Sequence, residues 1–144
     1  MIEVTESPLS LEAIINEVRR EDYGAVVSFM GTVRALSQGK KVLSLEYEAY
    51  KEMVEKKLQE IIGEISKKWQ LQDIAICHRI GKLKVGEIAV VIAVAAPHRR
   101  GAFDACQYAI NRLKEIAPIW KREIYEDGKC WVENPEAHFL RSKI

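Results

Sequence analysis

Two lysines flank a predicted break in the chain, and their spacing makes them the first candidates for chemistry. Lys114 and Lys121 lie on either side of Pro118 in the stretch LKEIAPIWKRE. Proline does not fit inside a helix and disfavours helical geometry at the preceding residue, so a helix should end near Ile116 and a strand should follow. A straight chain would hold the two lysines roughly 18 Å apart. They can serve one ligand only if the chain turns sharply at Pro118.

A simpler interpretation of these lysines stays open when the residues are taken alone. Lys114 would be a solvated charge that complements the negative end of a helix dipole. Lys121 would be a surface charge on the strand that follows. In that case neither side chain has a ligand.

Further basic residues precede the same helix, in the stretch PHRRGAF. His98, Arg99 and Arg100 stand where positive charge works against the helix dipole and where free backbone N–H groups point outward. An anion bound there would explain the pattern, and solvated side chains are the alternative. Arg34, which follows Gly31 at a predicted strand end, is unremarkable by itself.

Other reactive residue types give weaker signals. His78 lies in an alternating strand, which is typical of a packed or surface histidine, and His138 has no partner in the sequence. Cys77 and Cys106 fit apolar stripes and are expected in the core. Cys130 could act as a nucleophile, but no base stands next to it. The three cysteines are widely spaced and form no CxxC pair, so neither a disulfide framework nor a zinc site is predicted.

Composition limits the classes of protein that the chain can represent. Its 144 residues suit one domain, 1–144, with 48% apolar and 30% charged residues. Twenty-two Lys and Arg against 21 Asp and Glu give a net charge of +1, which argues against a protein that coats nucleic acid or an anionic membrane. The N-terminal residues lack the pattern of a signal peptide, and the apolar run IAVVIAVAAP is too short to span a bilayer. We expect a cytoplasmic protein.

The elements that must position these residues follow from periodicity and turn chemistry. About seven strands and three helices are expected, with mostly short connections, which is typical of an α+β fold with a mainly antiparallel or mixed sheet. Ser10 is a predicted N-cap, and Gly31 marks a predicted bulge or close approach. The stretches ALSQGKK and GKLKVGE are predicted as connections, and 88–96 as a strand buried on both faces.

Apolar faces can be assigned in the same way. The strand VLSLEYEAY should turn Leu43, Leu45 and Tyr47 to one side. Each of the two longer helices should pack through an apolar stripe. The stripe residues are Tyr50, Met53, Val54, Leu58, Ile61, Ile62 and Ile65 in the second helix, and Phe103, Cys106, Ile110 and Leu113 in the third. Asp127-Gly128 predicts a hairpin turn near the end.

Several segments together resemble one family, the catalytic large subunit of molybdopterin synthase. FMGTVR resembles its F-x-G-x-V-R strand, LEYEAY its L-x-Y-E-x-Y element, and HRIGKLKVGE its H-R-x-G-x-L-x-x-G-[DE] hairpin. HRRGAF, LKEIAPIWKRE and DGKCWVE resemble its closing block. The motifs occur in order from about Gly24 to Glu133. The resemblance implies an α/β hammerhead-like fold with an additional antiparallel β subdomain.

The resemblance also implies a reaction and partners. The family converts cyclic pyranopterin monophosphate to molybdopterin by adding two sulfurs as a dithiolene. The sulfur comes from a thiocarboxylate on the C-terminal Gly-Gly tail of a small ubiquitin-like partner subunit. The family forms a homodimer of large subunits and a heterotetramer overall, and it needs no cofactor and no metal for this step.

Roles for individual residues follow only from the resemblance. Lys114 and Lys121 match the family's active-site lysines and are the expected catalytic residues. Lys114 would act at the reacting centre, as proton shuttle or charge stabiliser, with Lys121 in support. The expected substrate-binding residues are Thr32, Val33, Arg34, His98, Arg99, Lys114, Lys121, Arg122 and Glu123.

Two other functions are compatible with parts of the sequence to different degrees. A non-catalytic module could bind a phosphorylated ligand or a ubiquitin-like partner without turnover. A nucleic-acid-binding protein is disfavoured by the near-zero net charge and by the lack of a repeat that combines aromatic and basic residues.

Overall fold

The computed structural model describes residues 1–133, which form three helices and nine strands. The predicted candidate His138 lies outside the described residues. The helices are α1 (Leu11–Val18), α2 (Lys51–Trp69) and α3 (Arg99–Ile116). The strands are β1 (Ile2–Thr5), β2 (Ala25–Thr32), β3 (Leu36–Ser37), β4 (Lys40–Ala49), β5 (Ile74–Arg79), β6 (Gly81–Lys84), β7 (Ile88–Ala96), β8 (Ile119–Tyr125) and β9 (Cys130–Glu133).

Local chemistry explains where the helices begin and end. The Ser10 side chain accepts a hydrogen bond from the Ala13 N–H at 3.2 Å, which confirms the predicted N-cap of α1. At the end of α3, Ala117 adopts extended geometry before Pro118, as expected for a residue that precedes proline. The strand β8 therefore begins at Ile119, immediately after the break.

The first sheet has the order β1-β5-β7-β2. Only its β1–β5 pair is parallel among the described strands, so the mixed character expected from the sequence is confirmed. The helix α1 covers one face of this sheet, while α2 and α3 cover the other. As predicted, β7 is buried along nearly its whole length, because apolar residues meet it from both sides.

The second sheet joins β3, β4, β8 and β9 in that order, with β6 also paired to β4. The long antiparallel ladder between β4 and β8 sets Tyr47 opposite Lys121 and Leu45 opposite Glu123. A small apolar cluster that includes Val33, Val42 and Leu83 packs against this sheet. The fold is thus α+β with an added antiparallel part, as the family resemblance implied.

Two predicted connections are strands instead. The stretch ALSQGKK contains β3 and the start of β4, joined by a tight turn in which Gln38 and Gly39 both have positive φ. The stretch GKLKVGE contains β6, which pairs with β4. Residues 1–133 therefore contain nine strands in place of the seven expected. A register shift between Val42 and Ser44 also turns Leu43 outward, so its predicted place beside Leu45 was wrong.

The apolar stripes of the two long helices are narrower than predicted. Tyr50 and Met53, at the start of α2, are 72% and 50% exposed. Phe103 in α3 is 60% exposed. Small residues bring α3 close to the sheet, and the buried members of its stripe are Ala102, Ala105, Cys106, Ala109 and Leu113. Across residues 1–133, no helix combines the length and apolar character that a bilayer crossing requires.

Candidate functional site

A cleft of about 220 Å³ lies where the two sheets and the C-terminal half of α3 meet. Strands of both sheets and α3 supply its lining, which joins aromatic and aliphatic side chains to three cationic groups and one carboxylate. The lining residues are Phe29, Gly31, Thr32, Arg34, Ser37, Val42, Leu45, Tyr47, Ala89, Val90, Ile110, Lys114, Lys121 and Glu123. Most of them sit on regular elements, so the scaffold holds the cleft in shape.

The break at Pro118 brings the two lysines to this cleft. Lys114 lies in the last turn of α3, one helical turn after Ile110, which also lines the cleft. Lys121 lies on β8 after the chain has turned. Both lysines line the same cleft, as the hypothesis of a sharp turn required. The alternative of two unrelated surface charges does not describe this arrangement.

The bulge in β2 helps to determine the position of the third cationic residue of the cleft, Arg34. The ladder between β2 and β7 shifts register between Gly31 and Thr32, as predicted from the glycine. A Cβ added at Gly31 would lie 2.7 Å from the Val90 side chain, so the strands approach too closely there for a larger residue. Beyond the bulge, buried Val33 is held by backbone hydrogen bonds to Glu87 and Gly86. Arg34 and Thr32, on either side of Val33, line the cleft.

Lys121 is oriented by partners on two sides. Its Nζ lies 3.3 Å from Oε1 of Glu123, which is on the same face of β8, and 5.9 Å from the centre of the Trp131 ring. Burial raises the pKa of the Glu123 carboxyl, but hydrogen bonds from Tyr125 and Ser37 and the charge on Lys121 outweigh burial and hold that pKa below its usual range. Glu123 is therefore a buried carboxylate that pairs with Lys121.

A neutral histidine lies near the other lysine. His78 is 5% exposed, and its ring packs edge-on against Tyr47. Burial and, to a smaller extent, the positive charge on Lys114 lower the pKa of His78 to about 4, although the hydrogen bond to the Arg79 carbonyl acts in the opposite direction. The neutral ring donates its Nδ1–H to the Arg79 carbonyl at 2.6 Å, since a carbonyl oxygen can only accept. Of the packed and surface positions that the sequence left open for His78, the structure shows the packed one, close enough to Lys114 for the lysine charge to affect the pKa of the ring.

Four expected substrate-binding residues do not line the cleft of this chain. His98 and Arg99 are exposed at the start of α3, and Arg99 and Lys114 are about 22 Å apart along the helix axis. Arg122 is exposed on the face of β8 opposite to Lys121 and Glu123. Val33 is buried in the apolar cluster.

Three polar residues at or next to the cleft were not among the predicted site residues. Tyr47 and Ser37 line it, and Tyr125 donates a hydrogen bond to Glu123. The alternation of β8 contained a signal for Tyr125, because Lys121, Glu123 and Tyr125 share one face at a period of two. Ser37 gave no such signal, because its position depends on the turn at Gln38 and Gly39.

Groups that could bind a metal ion are sparse in the described part of the chain. Within residues 1–133, no three His, Cys, Asp or Glu side chains cluster in a way that could hold a metal. The three cysteines are free: Cys77 and Cys106 are buried as expected, and Cys130 is exposed. The cleft lining itself carries ammonium, guanidinium and carboxylate groups, and its cations could pair with an anionic ligand.

Known proteins are similar to this chain in both sequence and fold. The model of the MoaE protein family matches residues 4–116. The molybdopterin synthase catalytic subunit of Bacillus subtilis (strain 168) is 50% identical over 130 residues, which cover 90% of this chain and 83% of that protein. The crystal structure of molybdopterin synthase from Staphylococcus aureus is 47% identical, with a TM-score of 0.87 over 92% of this chain and 96% of that chain.

A more distant structure extends the likeness in fold. A chain from the complex of subunits 1 and 2 of the molybdopterin-converting factor of Helicobacter pylori 26695 is 19% identical, with a TM-score of 0.74 over 90% of this chain and 87% of that chain. The family match over most of the chain, together with half-identity to a relative of similar length, shows that this chain belongs to the MoaE protein family, the family that its strand, hairpin and lysine motifs indicated.

Proposed function

We propose that this chain is the catalytic subunit of a molybdopterin synthase, a sulfurtransferase that converts cyclic pyranopterin monophosphate to molybdopterin. The observation that carries this function is the convergence of Lys114, Lys121 and Arg34 on one cleft. Relatives that align with 90% of the chain bear the name of this enzyme's catalytic subunit. The reaction places two sulfurs on the pterin precursor as a dithiolene.

The proposed sulfur donor is a small ubiquitin-like partner subunit that ends in Gly-Gly and carries a terminal thiocarboxylate. The name of the relatives, a catalytic subunit, and the two-subunit complex from Helicobacter pylori support such a partner. Glycine has no side chain, so a Gly-Gly tail could thread into a narrow cleft that would exclude bulkier residues. The carboxyl end of the tail would then reach the lysines.

The charges of the cleft suit the proposed chemistry. Arg34 and Thr32 are positioned to bind the anionic precursor, since a guanidinium pairs well with phosphate. Sulfur transfer from a thiocarboxylate passes through anionic tetrahedral species, and fixed cations stabilise charge as it develops. Lys114 acts at the reacting centre, as proton shuttle or charge stabiliser, and Lys121 supports it. Val33 contributes by anchoring the segment that presents its two neighbours.

The positions of His98 and Arg99 bear on the proposed assembly. Arg99 stands about 22 Å from Lys114 along α3 and His98 precedes it, so both would contact a substrate bound at Lys114 only if another copy supplied them. A homodimer with shared sites would meet this requirement. A small subunit at each end of the dimer would complete the proposed heterotetramer. The proposed location is the cytoplasm, where free cysteines such as Cys130 stay reduced.

The function is tested by reconstitution. The purified chain is mixed with a thiocarboxylated Gly-Gly-ended partner and cyclic pyranopterin monophosphate, and dithiolene formation is followed by mass spectrometry in a single turnover. Lys114→Ala should abolish most conversion, while Lys67→Ala should not. Lys67 is a matched control, because it is exposed in the last turn of α2 just as Lys114 lies in the last turn of α3. Normal conversion by a folded Lys114→Ala variant would remove this lysine from the mechanism.

The same assay separates the rival function. A non-catalytic module would bind the precursor or the partner with no dithiolene formed by the unaltered chain. Conversion that depends on Lys114 rules out that module.

A further inference from the structure

The same face of β8 carries three polar residues in a row, and only the first two line the cleft. Lys121, Glu123 and Tyr125 alternate with residues of the opposite face. Lys121 Nζ lies 3.3 Å from Glu123 Oε1, and the Tyr125 hydroxyl donates to Glu123 Oε2 at 2.6 Å. The carboxylate therefore binds a different group through each of its oxygens.

We propose that Tyr125 and Ser37 are positioning residues that orient the Glu123 carboxylate, and that Glu123 in turn holds the Lys121 ammonium at the cleft. This inference rests on the proposed function. It gives Glu123 a role different from the substrate contact expected from the sequence, because Glu123 acts on the substrate only through Lys121.

The Tyr125 hydroxyl can orient the carboxylate because its ring does not move freely. Tyr125 is 5% exposed and packs in the apolar cluster with Val33, Val42 and Leu83. A ring fixed by packing presents its hydroxyl in one place, and a short hydrogen bond to a charged acceptor is among the stronger kinds. Packing of the Tyr125 ring in the core thus fixes the hydroxyl that orients the Glu123 carboxylate.

Ser37 lines the cleft with the same carboxylate and belongs to another element. Its side chain is nearly buried on β3 and lines the cleft together with Glu123, where it favours the charged form of that carboxylate. The tight turn at Gln38 and Gly39 sets where β3 lies against β4, so the hairpin has a direct connection to the cleft. The β3–β4 turn therefore helps to position Ser37 at the cleft, which the sequence alone did not indicate.

Charge and valency explain why Glu123 should position and not bind. The proposed substrate and the thiocarboxylate are both anions, and a carboxylate that faced them directly would repel them. Glu123 instead uses its two oxygens on Tyr125 and Lys121. Pairing fixes Lys121 in place, while Arg34 and Lys114 carry the remaining positive charge of the cleft lining.

The groups around Glu123 define what a pH profile would report. It is faced by Lys121 and Tyr125 on its own strand, Ser37 on β3, Leu45 on β4 and Trp131 on β9, with Arg34 and Lys114 in the same cleft. Loss of a hydrogen bond to the carboxylate removes a group that favours its charged form. The acidic limb of the rate profile should then move to higher pH.

The test compares two deletions of a tyrosine hydroxyl that donates to a carboxylate, one beside the cleft and one away from it. Tyr125→Phe keeps the packed ring and removes the donor to Glu123, whereas Tyr23→Phe removes a 2.9 Å hydrogen bond to Asp73, away from the cleft. Tyr125→Phe should lower kcat roughly tenfold, the size expected for a lost hydrogen bond to a charged group, with little change in KM. The acidic limb of the pH–rate profile of Tyr125→Phe should shift to higher pH. Tyr23→Phe should change neither quantity.

Two further variants keep the result decisive. Ser37→Ala should lower kcat in the same sense as Tyr125→Phe, and Glu123→Gln should lower kcat without raising KM, since Glu123 does not contact substrate. A raised KM in Glu123→Gln, or a Tyr125→Phe profile equal to that of Tyr23→Phe, would overturn the inference. Lys121→Ala, measured in the same assay, distinguishes failure of the proposed role of the lysines from failure of the positioning inference. If Lys121→Ala is fully active, the proposed role of the cleft lysines fails; if it alone is impaired, only the positioning inference fails.

Discussion

The ring of His78 packs edge-on against the ring of Tyr47, with centroids 5.0 Å apart and planes at 84°. Tyr47 lines the cleft, and His78 lies buried beside it with its Nδ1 bound to a backbone carbonyl. An imidazole in this place must stay neutral, because charging it would require a buried cation close to Lys114.

Stability should therefore fall as the solution is acidified. The pKa of His78 is lowered from 6.5 to about 4, so the unfolded chain binds a proton between these values while the folded chain does not. The stabilisation is complete above pH 6.5 and is lost as pH falls towards 4, with a limit of roughly 3 kcal/mol for this group. Denaturant titrations from pH 7 to pH 4 measure it.

The control for this prediction is His78→Gln, which cannot titrate. Its free energy of unfolding should depend less steeply on pH over the same interval, whatever its absolute value. Equal slopes for the variant and the unaltered chain would show that His78 does not carry the effect.

Neighbouring basic residues on β8 should contribute unequally to catalysis. Lys121 lines the cleft and Arg122 is exposed on the opposite face. We expect Lys121→Ala to lower the single-turnover rate by roughly 10²-fold, as for the loss of a group that stabilises developing charge. Arg122→Ala should cost only a few-fold. An equal loss in both variants would mean that the outer face of β8 also meets a ligand or partner.

The bulge at Gly31 should not tolerate a methyl group. A Cβ there would lie 2.7 Å from Val90 Cγ1, so Gly31→Ala should lower the free energy of unfolding by about 1–3 kcal/mol through overpacking. Gly63→Ala is the matched control, because Gly63 lies in α2 with open space around it. That change should stabilise the chain by about 0.5–1 kcal/mol, through the higher helix propensity of alanine. Urea unfolding of both variants tests the contrast.

Mixing two inactive variants should restore part of the activity if sites are shared between copies. One variant carries Lys114→Ala and the other carries His98→Ala with Arg99→Ala. Random exchange between dimers makes half of them mixed, and one of the two sites in a mixed dimer has every group intact, so about a quarter of the normal rate should return. No recovery, with subunit exchange shown by native mass spectrometry, would mean that His98 and Arg99 act in another way.

Residues that cap helices, form bulges or end helices made much of the fold predictable. Ser10 capped α1, Gly31 marked the bulge and Pro118 ended α3, because each acts through its own backbone or side chain on the nearest neighbours. The continuous apolar run of β7 likewise read as a strand buried on both faces. These features depend little on the rest of the chain.

Features set by distant partners were harder to predict. Leu43 is turned outward by a register shift against β8, and β6 is a strand because β4 lies next to it. Phe103 appeared apolar enough for the core, yet α3 packs through alanines that allow a closer approach. In the site, Lys114 and Lys121 could be paired through the proline between them, whereas Ser37 and Tyr47 meet them only through strand pairing.

The corner at Pro118 also limits how the segment length can vary. Side chains on a strand alternate, so one residue inserted between Ala117 and Ile119 would shift the phase of β8 if the outer pairing were kept. Lys121 and Glu123 would then point away from the cleft, and Trp120, Arg122 and Ile124 would take their side, although no amino acid had been replaced. Insertions and deletions at this corner should therefore be tolerated far less than at the Asp127-Gly128 turn, where the chain reverses between two strands at an exposed end.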